Sequence, residues 1–551
     1  MTGTIRRDGD PLGDLPLLAA LPAAVRADLA AGADVLDVAG GEWLFRAGDA
    51  SDGMYLVRTG RLEVVRDGSV VREVGRGGIV GELSLLTGAV RAASVRARRD
   101  SSLLRLSPER FEALVTGEPA LLRQVAATVA GWVQSGRPAA DGGGAAGLVA
   151  VIGAGPGAPV DAVAGALVAG IAGHLRVATP GRVTPAELER SELTSDRVVL
   201  VAGAQDGPWV DFCRRQCDRV VLVADGAMPL PPAPVRGADL VFVGPPPARD
   251  RLLRWCEAVA PRWVYRIGVD PVAWAAGLAP LARRIAGCSI GLVLAGGGAR
   301  AICHIGVVEE LAAAGIVVDR VAGTSLGAVI AAAFAAGMDA EQMYRHCVAE
   351  FVRRNPLNDY TVPRVALSRG SKARAALTRL YGDLVIEELE REFACVSVDL
   401  HLQAAVTHRR GSVVDAVRAS MSLPVVFPPY RLGGRLHVDG ALLDNLPVSA
   451  LAGPEGPVIA VSIATGGGRP HATRLPPLAE TLQRSILMAA APAAAAAEAT
   501  ADLVIRPDLR GVGLLAFREL DGVRSAGATA ARTALAACTP ELRGMLTGPA
   551  P

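Results

Sequence analysis

Val321-Ala322-Gly323-Thr324-Ser325-Leu326-Gly327 is the stretch on which the fold turns. A strand-like apolar run ends in Gly-x-Ser-x-Gly, and Ala328 to Ala336 continue as small apolar residues suited to a buried helix. A serine so placed sits on a sharp strand-to-helix turn, where Gly323 and Gly327 let the backbone bend tightly. The helix N-terminus behind it favours negative charge developing nearby. Such a pattern is only moderately specific in a chain rich in alanine and glycine, so its neighbours decide.

Two further motifs flank it in order. Gly296-Gly297-Gly298-Ala299-Arg300 follows the strand-like run Ile290–Leu294, with Gly298 standing 27 residues before Ser325. Its consecutive backbone N–H groups suit an oxyanion hole. Asp439-Gly440-Ala441 begins 114 residues after Ser325. The expected chemistry is a nucleophile, Ser325, and a base, Asp439. A solvated aspartate is a weak base, so burial must raise its pKa or a close hydrogen bond must suffice. His437 lies two residues before Asp439 on the same strand face, which keeps a Ser-His-Asp triad as the alternative. His304 reads as a packing residue, and Arg300 as one that positions the glycine loop or a substrate phosphate.

The segment from Gly291 to Leu311, Pro424-Val425-Val426-Phe427-Pro428-Pro429, and the block Asp439 to Pro447 together resemble the patatin-like phospholipases. The resemblance runs from Ile290 to about Leu451. It implies an α/β hydrolase with a Ser–Asp dyad, an acyl-enzyme, no histidine in the chemistry and no catalytic cofactor or metal. Two departures stand out. Ala295 and Ala301 occupy positions where the family usually has glycine, so either Cβ could narrow the oxyanion loop. Val425 stands where many relatives have glycine, which could reshape the acyl pocket.

Upstream, residues from Trp43 to Val74 read as hairpins: a turn at Phe45–Asp49, a strand Met54–Val57, a turn at Thr59-Gly60, and the alternating strand Arg61–Val65. Then comes Gly81-Glu82-Leu83-Ser84-Leu85-Leu86-Thr87-Gly88-Ala89-Val90-Arg91-Ala92-Ala93. This stretch resembles the phosphate cassette of cyclic-nucleotide-binding domains. Free N–H groups from Ser84 onward can hold an anion, Arg91 can pair with a cyclic phosphate, and Glu82 can accept from a ribose hydroxyl. Ala92 after the arginine resembles the cAMP-preferring version, making cAMP the candidate regulatory ligand. The bland alternative is a β-roll that kept its fold and lost its ligand. Beside the hydrolase motifs, this domain narrows the resemblance to the bacterial neuropathy-target-esterase-like branch. That branch implies a lysophospholipid or similar single-chain ester as substrate.

Between the two lies a tempting nucleotide fingerprint, Gly153-Ala154-Gly155-Pro156-Gly157, after a strand. Pro156 and Pro159 remove donors, and the next strand candidate, Leu175–Ala178, ends without an acidic residue for a ribose. A structural role is expected, with Asp206, Trp209 and Asp211 as surface and packing positions.

Composition sets the limits. A chain of 551 residues, 51% hydrophobic and 20% charged, is globular and needs several domains. Its net charge of +2 predicts no strong attraction to nucleic acid or to an anionic membrane. Lys372 is the one lysine, which excludes a phosphate-loop lysine almost anywhere. The eight cysteines form no CxxC pair; Cys213 and Cys217, one helical turn apart, lack further soft ligands. No signal peptide or membrane span is read, so a cytoplasmic protein, or one peripheral on the inner face of the membrane, is expected.

The expected organisation is multidomain. A cyclic-nucleotide-binding-like β-roll with flanking helices spans 15–134, a flexible linker 135–147, an α/β nucleotide-fold-like region 148–286, and an α/β patatin-like hydrolase 287–545. The expected partners are a (lyso)phospholipid ester and a cyclic nucleotide, with peripheral membrane contact and no nucleic acid. A catalytically inactive scaffold responding to cyclic nucleotide is the alternative.

Overall fold

The computed structural model describes residues 22–24, 26–27, 34–66, 69–117, 147–231, 235–463, 478–514, 516–517 and 520–547. The expected linker lies largely outside these residues. Two compact units emerge, one from 1–168 with 175–245, the other from 169–174 with 246–551. The division at Pro245–Pro246 falls inside the expected middle region.

The first unit opens with a β-roll: β1 (Asp34–Val38), β2 (Trp43–Phe45), β3 (Met54–Arg66), β4 (Ser69–Val74), β5 (Ile79–Val80) and β6 (Ser94–Leu106), with helix α1 (Glu82–Thr87) between β5 and β6. β3 pairs antiparallel with β4, β5 and β6. β6 alternates buried and half-buried residues along most of its length, as a strand with one face on a core must. Tyr55, Val57, Leu62, Val95 and Leu103 form that core. The sequence suggested a turn at Thr59-Gly60. Instead β3 runs through as one strand of 13 residues with register shifts beside Thr59. Gly60 has φ +94°, and a Cβ there would lie 2.3 Å from Ser101 Oγ, so the glycine makes a bulge rather than a reversal.

Five parallel strands follow in the spatial order β11 (Asp239–Val243), β10 (Arg219–Asp225), β7 (Leu148–Gly153), β9 (Arg197–Ala202), β8 (Val177–Ala178). Every residue of β7 and β11 is buried, which explains their unbroken apolar runs. Trp209 is buried and donates Nε1–H to Val201 O, whereas Asp206 pairs with Arg182 at the surface. Within this unit the β-roll is seated on the parallel layer by charge. Arg61 Nε lies 3.3 Å and Arg99 Nη1 3.7 Å from the buried Asp218 carboxylate, and Arg99 Nη2 lies 2.8 Å from Glu192. Cys213 and Cys217 are buried and free, and burial holds the Cys213 thiol up at about 12.

In the second unit β12 (Val264–Ile267) and helix α2 (Pro271–Ala286) precede the hydrolase sheet. That sheet contains β13 (Ile290–Leu294), β14 (Val318–Thr324), β15 (Glu392–Asp399), β16 (Ala404–His408), β17 (Tyr430–Leu432), β18 (Arg435–Asp439), β19 (Val458–Val461) and β20 (Leu503–Ile505). The order is β17-β18-β15-β14-β13-β19-β20, with β16 also on β15. β13, β14, β15, β19 and β20 are mutually parallel; β16 and β18 run against β15. Helix α3 (Cys303–Ala313) follows the glycine loop and α4 (Leu326–Ala335) follows Ser325. α4 is buried almost throughout, as its small apolar residues predicted.

Candidate active site

Topology brings the three motifs together. β13 and β14 are parallel neighbours, so the glycine loop after Leu294 and Ser325 after Thr324 emerge at the same edge of the sheet. β18 pairs with β15 in the register Ser397↔Asp439, which delivers Asp439 to that edge. The glycines are steric requirements. A Cβ on Gly323 would lie 2.6 Å from Gly327 C, one on Gly327 2.4 Å from Leu294 O, and one on Gly440 2.3 Å from Val396 O.

Ser325 adopts φ 57°, ψ −128°, a conformation that costs an L-residue roughly 1–3 kcal/mol and persists only where its surroundings impose it. Here its N–H donates to Ser420 Oγ at 2.9 Å, and Ser420 in turn donates to Val396 O at 2.6 Å. Ser325 Oγ donates to Asp439 Oδ2 at 2.7 Å, and Ala441 N–H donates to Oδ1 at 2.9 Å. Asp439 is 1% exposed, and burial pushes its carboxyl up to about 6, against the opposing effects of Ala441 N–H, Ser325 and Arg418. Arg418 is itself buried; it donates to Ser422 Oγ, and its guanidinium lies 4.6 Å from the Phe427 ring centre. Ser422 O accepts the Asp439 N–H, so Arg418 and Asp439 share a scaffold.

The glycine loop contributes fewer donors than the sequence suggested. Gly296 N–H is taken by Asn445 O, Ala299 N–H by Leu514 O, and Arg300 N–H by Gly297 O. Gly297 and Gly298 N–H have no partner among the described residues, and both glycines line the cavity beside Ser325. Arg300 donates Nε–H to Val512 O, so it braces the loop against the C-terminal segment. Ala295 and Ala301 are 1% and 0% exposed and do not line the cavity, so their Cβ atoms point into packing and leave the loop open. Val425 also lies off the cavity wall but takes φ +68°, a left-handed backbone that glycine accommodates and a β-branched residue resists.

Among the described residues His437 makes no hydrogen bond to Ser325 or Asp439. Its Nδ1 meets Ser397 Oγ at 2.8 Å, and Ser397 Oγ also meets His408 Nε2 at 2.7 Å. Strand alternation put His437 and Asp439 on one face correctly, but β18 pairs His437 opposite Asp399, away from Ser325. His304 is buried with Nε2 on Ala295 O at 2.8 Å, and burial holds it neutral with a pKa of about 4.

Above Ser325 the cavity of about 90 Å³ is walled by Phe351, Leu423, Phe427, Leu514 and Phe517, with Asn445 beside Gly296. Phe351 and Phe517 stack with ring centres 5.4 Å apart. None of these wall residues except Phe427 sat in a motif; they converge from distant segments and carry no local signal. Asn445 lay inside the Asp439–Pro447 block and could have been singled out.

In the β-roll, Gly81 has φ 83° and opens α1. Arg91 is 2% exposed. It donates to Asp52 Oδ1 at 2.5 Å, Gly53 O at 2.8 Å, Gly81 O at 3.0 Å and Ser84 Oγ at 2.8 Å, over the Phe45 ring. Its Nε is buried without a partner among the described residues. Glu82 is buried; Leu83 and Ala92 are exposed and Ala93 half-buried. The cassette is therefore assembled with its arginine held by Asp52, and a cyclic phosphate would have to share or displace that carboxylate.

Fold and site define a patatin-like phospholipase joined to a cyclic-nucleotide-binding domain. Residues 292–452 match the family described as patatin-like phospholipase, and 35–118 match the cyclic nucleotide-binding domain. An uncharacterised NTE family protein of Mycobacterium tuberculosis is 35% identical over 96% of both chains. The lysophospholipase nte1 of Aspergillus niger is 26% identical over 76% of this chain and 34% of its own. Among solved structures, the catabolite activator protein of Thermus thermophilus aligns with 22% of this chain and 59% of its own, at 27% identity and a TM-score of 0.21. The chain belongs to the NTE family.

Proposed function

We propose that this chain hydrolyses the carboxylic ester of lysophospholipids through a Ser325–Asp439 dyad, under the control of a cyclic nucleotide. The observation that carries the chemistry is the 2.7 Å hydrogen bond from Ser325 Oγ to Asp439 Oδ2. Asp439 accepts the hydroxyl proton as Ser325 Oγ attacks the ester carbonyl, and the carbonyl oxygen takes up negative charge facing Gly297 and Gly298 N–H. Collapse expels the glycerophospho-alcohol, which takes the proton back from Asp439, and leaves an acyl-Ser325. Water, deprotonated by Asp439, then releases the fatty acid and restores the serine. An apolar cavity walled by Phe351, Phe427 and Phe517 suits the carbonyl-proximal part of an acyl chain.

The lysophospholipid substrate is favoured by the similarity to the fungal lysophospholipase. No cofactor is assigned to the chemistry. cAMP is the regulatory ligand proposed for the Arg91 cassette, and buried free thiols suit a reducing, cytoplasmic compartment. The inactive-scaffold reading is disfavoured by the assembled dyad. Release of glycerophosphocholine from lysophosphatidylcholine, with fluorophosphonate labelling at Ser325, tests the proposal. Undiminished turnover or labelling in Ser325→Ala would remove it; equal rates on triacylglycerol would remove the substrate assignment alone.

A further inference from the structure

The wall of the active-site cavity continues outward into a hairpin. Tyr360 bridges Ser368, and Thr361 N–H donates to Leu367 O. The base of the hairpin is tied to the cavity wall, with Leu367 N–H on Val425 O at 2.8 Å and Ser368 N–H on Val426 O at 3.0 Å. Val426, Pro356 and Leu357 line the cavity. At the tip, apolar side chains face water: Tyr360 is 74%, Val362 72% and Val365 71% exposed, with Pro363 also exposed.

Charge around this tip is one-sided. Between Glu350 and Asp383 the sequence holds seven basic residues and one acid, Asp359, although the whole chain carries only +2. Asp359 is buried, and its carboxylate is engaged by the N–H groups of Ser371 and Lys372. Arg354 and Arg379 pair with Glu350, and Arg374 with Asp415. Arg353 and Arg364 are exposed and have no ion pair among the described residues. Val362-Pro363-Arg364-Val365 thus interleaves apolar side chains with a cation on a hairpin whose base is bonded to the wall of an apolar cavity.

We infer that this hairpin is the lipid-docking surface of the enzyme, entering the headgroup layer of an anionic membrane and leading a single-chain ester to Ser325. The inference rests on the lipid-ester reading of that site. Valine, proline and tyrosine side chains enter the acyl boundary while Arg353 and Arg364 meet lipid phosphates. Continuity with the cavity favours lipid over a protein partner.

The test is co-sedimentation of the full chain with phosphatidylcholine vesicles, with and without phosphatidylglycerol, beside hydrolysis of p-nitrophenyl butyrate. Wild type should bind the anionic vesicles, and less at high salt. Val362→Asp with Val365→Asp should weaken binding at least about tenfold. Arg353→Ala and Arg364→Ala should each weaken it roughly fivefold, on anionic vesicles only. Hydrolysis of the soluble ester should stay at the wild-type rate in every variant. Wild-type binding that survived the double aspartate substitution, no binding by wild type, or a dimer that the substitutions split would overturn the docking surface. Loss of soluble-ester hydrolysis in wild type would instead strike the catalytic reading, leaving vesicle binding to be judged on its own.

Discussion

Asp439 accepts one hydrogen bond on each carboxylate oxygen, Ser325 Oγ on Oδ2 and Ala441 N–H on Oδ1, while burial works against its charge. The Asp439 carboxylate is therefore oriented by its own backbone two residues on and tuned by desolvation. Burial raises its pKa to about 6, within reach of neutral pH.

Activity should fall as pH drops through about 6, because protonated Asp439 cannot accept the Ser325 proton. Stability should move the opposite way. The folded pKa lies above the ordinary 3.8, so the stability Asp439 contributes is present below 3.8 and lost as pH rises through about 6. Asp439→Asn should then abolish hydrolysis yet raise stability at pH 8 by up to about 3 kcal/mol, with the gain gone at pH 4. Thermal unfolding at the two pH values checks the sign.

Arg418→Met should push the acid limb of the rate profile upward by up to about one pH unit, since the arginine's charge favours ionised Asp439. Tyr430, Ser422 and Phe427 are among its other neighbours, and none of these three supplies a replacement cation. A profile that only lost height, without moving, would assign Arg418 to packing.

His437→Ala should leave the soluble-ester rate near wild type. It should cost stability, about 1–3 kcal/mol, by stripping a partner from the buried Ser397 hydroxyl. Chemical denaturation and a rate measurement on the same preparation separate the two effects.

Val425→Gly should stabilise the protein by about 0.5–1 kcal/mol. Relief of a valine from φ +68° outweighs the flexibility glycine gains in the unfolded chain. Since Val425 is off the cavity wall, acyl-chain preference should not change.

Arg91→Ala should weaken cAMP binding by roughly 30-fold or more, read by calorimetry. It should also destabilise the β-roll, because Asp52, Gly53, Gly81 and Ser84 all lose their donor. No cAMP binding by wild type at millimolar ligand would leave the cassette a structural element.

The juxtaposition of Ser325 and Asp439, the nucleophile and base proposed above, was legible in the sequence because their neighbours have almost no freedom: Gly323, Gly327 and Gly440 each press on backbone. Ser420, which holds the Ser325 amide, was not legible, since a serine near the end of a helix announces no partner 95 residues away. The five-residue oxyanion loop was overcounted because sequence cannot say which amides the fold has already used; Leu514 O takes one of them. The Thr59-Gly60 turn misread a bulge, as both call for glycine with positive φ.

The seat of Arg61 and Arg99 on Asp218 sets how this protein could have been assembled and how it can be cut. A sensor domain hung on a tether can be exchanged for another by recombination, with little else to change. This β-roll is fitted to its neighbour: removing it strips Asp218 and Glu192 of their arginine partners and bares the face of the parallel layer on which it sits. The β-roll and the parallel layer therefore move as one cassette, and a shortened hydrolase should begin near Pro246, after both.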